Sequence, residues 1–301
     1  MDLRQLRVFV AAADSLNFAR AAESLGIAQP AVSQHIKTLE SHFGFQLFHR
    51  IRRGVELTPA GHALLPEARA TVMQSEKALR VASRAHIGEI GHLHIAYVHS
   101  VMLEPELPRL IRLYRTAAPD VTLEFSDISM VQQIEMLTEQ RVDVAFVRAP
   151  SHVMPRDVVA RRFSSARLLV ALPSDHRLAA QPVLTLGDLK DEAFILLQDP
   201  HGLGLGHHIM ELCEAAGFTP RSELSLQNLT VAVGLVAAGL GVSVVPEAVA
   251  RTAPPGVACR LLDVEAATSQ VWIAHKAGVP SPVLAQFLSL ANWPAIVRRA
   301  D

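Results

Sequence analysis

Over the first sixty residues, apolar side chains recur at helical spacing and are cut by turn residues. Leu3, Leu6, Phe9, Val10 and Ala13 form one stripe, which predicts an amphipathic helix from 3 to about 14. Asn17 offers a capping oxygen for a second helix, which carries Phe18, Ala21, Ala22 and Leu25 on one face. Gly26 suits the left-handed conformation just past its end. Ile27, Ala28 and Gln29 make a short turn, and Pro30 fits the first turn of a third helix, where its missing N–H costs nothing. This is a helix-turn-helix plan. With successive residues about 100° apart, Val32, Ile36, Leu39 and Phe43 fall on one side of the third helix. Pro30, Gln34, Lys37 and Ser41 fall on the other, flanked by Ala31, Ser33 and Thr38.

Beyond Gly44, two short strands, Gln46 to Phe48 and Val55 to Leu57, flank a tip that carries Arg50, Arg52 and Arg53, the outline of a wing. Thr58 and Pro59 then start a long helix whose stripe runs through Leu64, Ala68, Val72, Ser75, Leu79 and Ala82. Such a helix, from 59 to about 86, is about 42 Å long at 1.5 Å per residue. The small head cannot cover it, so a second copy of the chain is the expected partner. Gly88 and Gly91 end it and form an expected hinge.

From His92 onward the pattern alternates strands and helices. Strands are expected near 93–97, 121–126, 142–147, 167–172, 194–197, 242–245 and 270–275. Helices are expected near 105–117, 130–140, 207–217, 228–239 and 281–291. This predicts an α/β domain with parallel sheets. The chain therefore reads as a winged helix-turn-helix at 1–58, a linker helix and hinge at 59–90, and an α/β domain at 91–301.

The outer face of the third helix has the chemistry to read DNA. Gln34 carries an amide for a base edge, Lys37 reaches a guanine or a phosphate, and Ala31 can touch a thymine methyl. Gln29 and Ser33, at the positive end of the helix dipole, suit a phosphate. The three wing arginines suit the backbone or the minor groove. In the α/β domain, strands run into His99, Ser100 and Val101 and into Asp127 and Ser129, and a loop from Pro200 to Gly206 enters a helix. Ligands bind at such strand ends. The glycines of that loop do not fit a dinucleotide fingerprint, because the third is misplaced; no cofactor is expected.

Lys and Arg number 28 against 29 Asp and Glu, a formal charge of −1 that does not by itself point to nucleic acid. Residues 1–58, with seven basic and five acidic side chains, form a mildly basic head on a mildly acidic body. Two cysteines without ligand spacing exclude a disulfide framework, and the 14 histidines lack the partners of a zinc site. No secretory leader opens the sequence and no apolar run reaches membrane-spanning length, so a cytoplasmic protein without membrane contact is expected. No nucleophile with a base is legible, which argues against an enzyme. A plain solute-binding protein would have no use for the first sixty residues.

The run Leu3-Arg4-Gln5-Leu6-Arg7-Val8-Phe9, then Asn17 to Ala22, Gln29 to Ile36, Leu47 to Arg50 and Leu57 to Gly61, resembles the amino-terminal signature of LysR-type transcriptional regulators. With that resemblance, Arg20 and Pro30 join Gln29, Ala31, Ser33, Gln34, Lys37, Arg50, Arg52 and Arg53 as expected DNA-contacting residues. Leu93 to Val147, Phe194 to Pro220 and Leu235 to Pro246 resemble the family's regulatory domain, nearest to the branch that responds to benzoate, muconate and related products of aromatic degradation. The resemblance implies two lobes similar to periplasmic binding proteins, about 91–162 with 267–301 and about 163–266, and an organic acid effector held between them. By position, Ser100, Val101, Ser129, Leu203, Gly204 and Leu205 match that pocket. His99 adds an imidazole, and Arg148 is a candidate to counter an anion. The family implies dimers through the linker, tetramers, promoter DNA, and RNA polymerase as a partner.

Overall fold

Residues 1–52, 54–148, 154–199 and 204–292 are described by a computed structural model. Contacts divide the chain into two units, Met1–Arg84 and Ala85–Asp301.

In the first unit, α1 (Leu3–Ser15), α2 (Phe18–Leu25) and α3 (Gln29–Phe43) are followed by the hairpin β1 (Phe48–Ile51) and β2 (Gly54–Leu57) and by the long α4 (Pro59–His86). Side chains fix the starts of the helices. Asp2 and Gln5 close a capping box on α1, and the Asn17 side chain accepts from the amides of Ala19 and Arg20. Gly26 ends α2 at φ 65°, a conformation that costs most residues a clash with their own Cβ. Phe9, Ala12, Ala21, Val32 and Leu39 make a fully buried core between the three helices. The rings of Phe9 and Phe18 close on Phe48, with centroids 5.4 and 5.5 Å away, and tie the helices to the hairpin.

Two features of this unit differ from the sequence reading. The first wing strand begins later than expected, so Arg50 lies within β1 opposite Val55 and Arg52 is at the tip; Arg53 lies outside the described residues. The first turns of α4 also belong to the head: Ala68 is buried, and Leu64, Leu65 and Val72 pack against the same core. The contact boundary consequently falls at Arg84/Ala85, within the expected linker. The Thr58 hydroxyl accepts the Gly61 amide at 3.0 Å to start α4, which stays helical through Pro66. Further along, Met73 and Leu79 are 66% and 64% exposed.

The second unit opens with β3 (Ile90–Tyr97), α5 (Glu106–Ala117), β4 (Asp120–Asp127), α6 (Met130–Thr138) and β5 (Val144–Val147). It continues through β6 (Val158–Pro173), β7 (Val183–Leu184), β8 (Ala193–Leu197), α7 (Gly204–Ala215), β9 (Arg221–Leu226) and α8 (Leu229–Ala237). It ends with β10 (Ser243–Pro246), α9 (Glu247–Ala250), β11 (Val257–Leu262), β12 (Thr268–Lys276) and α10 (Pro282–Leu290). The expected parallel pairing holds for β3 with β4 and β5 and for β8 with β9. It fails at β12, which runs antiparallel to β5 and β6, and at β10 and β11, which run antiparallel to β6. The chain passes between two lobes twice, out along β6 and back along β12, and adjacent strands that carry it in opposite senses must be antiparallel.

The crossing point is sharp. Arg167 is the last residue of β6 to pair with β12, and from Leu168 onward β6 pairs with β10 and β11 instead. Each lobe has its own core: Leu93, Ile95, Tyr114, Phe146 and Phe287 in the first, Val170, Leu172, Phe194, Val236 and Val245 in the second. Gly88, expected as a hinge, stands at φ 78°, and a Cβ there would lie 2.7 Å from the Pro282 carbonyl carbon, so it is clamped against the start of α10. Among the described residues no helix is long and apolar enough to cross a membrane.

Candidate DNA interface and effector cleft

The buried side of α3, with Val32, Ile36 and Leu39, leaves Gln29, Pro30, Gln34 and Lys37 exposed on the opposite side, with Ala31 and Ser33 partly covered at its edge. Arg20 on α2 and Arg50 and Arg52 on the hairpin are exposed as well. The wing is rigidly attached to the helices. The Val55 amide donates to the Leu16 carbonyl at 3.0 Å, and Glu40 on α3 accepts the amides of Leu47 and Phe48 at 2.8 and 3.2 Å. A single rigid surface therefore presents a polar helix face together with the hairpin cations.

In the second unit, a cavity of about 400 Å³ lies between the lobes. The first lobe contributes His99 and Ser100, in the turn after β3, and the start of α6, where Ser129 and Gln132 close a capping box. The second lobe contributes the end of β8 and the starts of α7 and α8, the latter capped by Asn228. The amides of Met130 and Val131, in the first turn of α6, have no carbonyl four residues back within the helix, so their donors belong to the cavity wall. Helix starts from both lobes make the cleft a place for polar, electron-rich groups.

The expected effector residues do not all reach this cavity. His99, Ser100, Ser129, Gly204 and Leu205 line it, and His99 Nδ1 lies 2.9 Å from an Asp127 carboxylate oxygen. Val101 does not line it: its side chain is 1% exposed within the first-lobe core, and its amide donates to the Val98 carbonyl at 2.9 Å. Leu203 lies outside the described residues. Arg148 is at the wall, but its guanidinium is engaged. It donates to Glu104 at 2.5 Å, to the Ser100 hydroxyl at 3.1 Å and to the Ser269 hydroxyl. Burial pulls this guanidinium below its usual range, against the support of Glu104. The pair is buried on both sides, so Arg148 braces the wall and is no free counter-ion.

Sequence reasoning missed several cavity residues. Asp199, Gln198, Gln227 and Asn228 stand at carboxyl ends of β8 and β9, the same kind of position that singled out His99 and Ser129. Glu104 carried no signal, because a carboxylate beside a helix start reads as a solvated charge. Among the described residues, no group of three or more His, Cys, Asp or Glu is placed to hold a metal ion.

Residues 3–62 match the model of the bacterial regulatory helix-turn-helix protein, lysR family, and residues 86–292 match that of the LysR substrate binding domain. The chain belongs to the LysR family of transcriptional regulators. This LysR-family chain is 32% identical over 292 residues to the HTH-type transcriptional regulator AlsR of Bacillus subtilis, covering 97% of this chain and 96% of that protein. It is similar to the crystal structure of full-length CbnR complexed with its target DNA, at a TM-score of 0.82, 27% identity, and coverage of 97% of this chain and 99% of that one. Its regulatory half is similar to the BenM effector binding domain with its effector benzoate, at a TM-score of 0.59, 26% identity, and coverage of 67% and 90%. The protein is a DNA-binding regulator with an effector-binding domain, and its relatives are regulators rather than enzymes.

Proposed function

We propose that this regulator is switched by a small organic acid, aromatic or dicarboxylic, bound between the lobes of its second unit. The observation that carries the reading is the cavity of about 400 Å³ bounded by the capped start of α6 on one lobe and the starts of α7 and α8 on the other. A carboxylate at the first amides of α6, those of Met130 and Val131 beside the Ser129–Gln132 capping box, satisfies donors that otherwise need water. An effector that touches both lobes stabilises the arrangement in which both walls meet it, and that differential affinity drives the switch. Likeness to the BenM domain with benzoate supports the aromatic class.

On the DNA side, Gln34 and Lys37 read bases in the major groove, with Ala31 beside them. Arg20, Gln29, Pro30 and Ser33 fix register on the backbone, and Arg50, Arg52 and Arg53 supply wing cations. The exposed Leu79, on the α4 stripe that the head covers only in its first half, supports a dimer through that helix, which sets two reading heads at a fixed separation. Assembly of dimers into a tetramer and contact with RNA polymerase complete the reading.

The test has two arms. Benzoate should raise the thermal midpoint of the native protein, and Ser129→Ala should reduce that shift; no shift with any acid across an aromatic and dicarboxylic panel overturns the effector class. In gel shifts, replacing Gln34 and Lys37 by Ala should abolish specific binding, and an unchanged sequence preference removes α3 as the reading helix.

A further inference from the structure

Helix starts from both lobes border the cleft, yet they are not equally available. At α7 the carboxylate of Asp199, at the end of β8, already accepts the Gly206 amide at 2.7 Å and lies against the Leu205 amide. The local backbone is shaped to let it in. Gly204 stands at φ 80°, and a Cβ there would overlap the Asp199 carboxylate; a Cβ at Gly206 would overlap the Leu197 carbonyl oxygen. Gly204 and Gly206 therefore admit the chain's own anion at the start of α7. A ligand carboxylate at this end of the cleft meets occupied donors and a like charge.

Burial pushes the Asp199 carboxyl up from its usual range, while the amides of Gly206 and Leu205 and the nearby His207 hold it down. Asp199 is the one carboxylate among the described residues that line the cavity. Of the other lining residues, Arg148 is neutralised by the buried Glu104, and the His99 imidazole is already paired with Asp127. On the first lobe, the start of α6 lines the same cavity with the amides of Met130 and Val131, and Gln198 and Gln227 line it from the second lobe with Asp199. The first-lobe wall thus attracts an acid group, and the second-lobe wall at Asp199 repels one and accepts hydrogen bonds.

Building on the acid-effector reading above, we infer that Asp199 is the specificity-determining residue of the cleft. It fills the α7 anion site from within and selects monocarboxylates, preferring those whose far end carries a hydroxyl or amine that donates to it, while it rejects dicarboxylates. This narrows the effector to one half of the proposed class.

The experiment is calorimetric titration of the full chain with benzoate, 4-hydroxybenzoate and terephthalate, which share a ring and differ at the far end. The native protein should bind 4-hydroxybenzoate at least as tightly as benzoate, and terephthalate roughly tenfold or more weakly, as like charges across a partly dry contact require. Asp199→Ala should remove most of that discrimination. Asp199→Asn keeps an acceptor for the Gly206 amide without the charge, so it should relax the discrimination even if the alanine variant folds poorly. Terephthalate binding the native protein as tightly as benzoate, or a ratio unchanged in both variants, overturns the assignment. Absence of binding by all three acids to the native protein and to both variants is a separate outcome: it removes the acid-effector reading and this inference with it.

Discussion

The amide of Val55, in the second strand of the wing, donates to the carbonyl of Leu16, at the corner between α1 and α2, at 3.0 Å. Gly54 makes this possible: it stands at φ 123°, and a Cβ there would lie 2.5 Å from the same Leu16 oxygen. Gly54→Ala should therefore push the wing away from the corner and destabilise the first unit by about 1–3 kcal/mol, the usual cost of a side chain forced into such a conformation. Thermal denaturation measures the loss. Gel shifts should show weaker operator binding although Gln34 and Lys37 are untouched, and a variant with native stability and affinity would mean that the wing does not depend on this anchor.

Arg52, exposed at the hairpin tip, and Gln34, exposed on α3, should fail in different ways. A phosphate contact contributes a released counter-ion, so Arg52→Ala should lower the slope of log affinity against log salt by about one and leave sequence preference intact. Gln34→Ala should keep the slope and relax preference at one position by about 1–3 kcal/mol. Fluorescence anisotropy over a salt series, with native and singly substituted operators, separates the two; the reverse pattern would exchange their roles.

The head was legible because each of its signals is local. Asn17 caps the helix that follows it, Gly26 ends it, and the spacing of Val32, Ile36 and Leu39 fixes which side of α3 faces out. In the second unit, legibility stopped where neighbours decide. The outward strand β6 runs through Arg161, Arg162, Ser164 and Ser165, residues with no strand signature, and is held there by its pairing with β12. Strand β11 hid similarly behind Arg260, whose guanidinium donates to the Ala179 carbonyl, 81 residues away along the chain. The cleft was half visible: the rule about strand ends found Ser129, whereas nothing near Gly204 announced that Asp199 already accepts the Gly206 amide.

Arg148 and Glu104 are 6% and 3% exposed in their side chains, and Glu104 also accepts the Ser164 hydroxyl on β6 at 3.1 Å. With Ser269 on β12 as a further partner of Arg148, the pair joins the cavity wall to both strands that pass between the lobes. Glu104→Gln strands a buried guanidinium and should cost about 3–5 kcal/mol, whereas combining Glu104→Leu with Arg148→Met should recover part of that loss, because two apolar groups leave no buried charge. Urea midpoints at matched slopes report both. A single variant of native stability would show that water reaches the pair.

Leu79 is 64% exposed on a helix whose earlier stripe residues, Leu64, Ala68 and Val72, are covered by the head. The same stripe thus has one half covered within the chain and another half that water would have to solvate, at about 25 cal/mol for each Å² left wet. A second α4 laid against it covers both copies at once. Leu79→Glu should replace that contact by like charges facing one another and convert the native oligomer to smaller species, seen as a fall in mass by light scattering. Operator affinity should drop with it, since two half-sites bound through one dimer gain from each other and two separate heads do not. An unchanged mass would move the self-association surface off α4, and the reading heads would then need another source for their spacing.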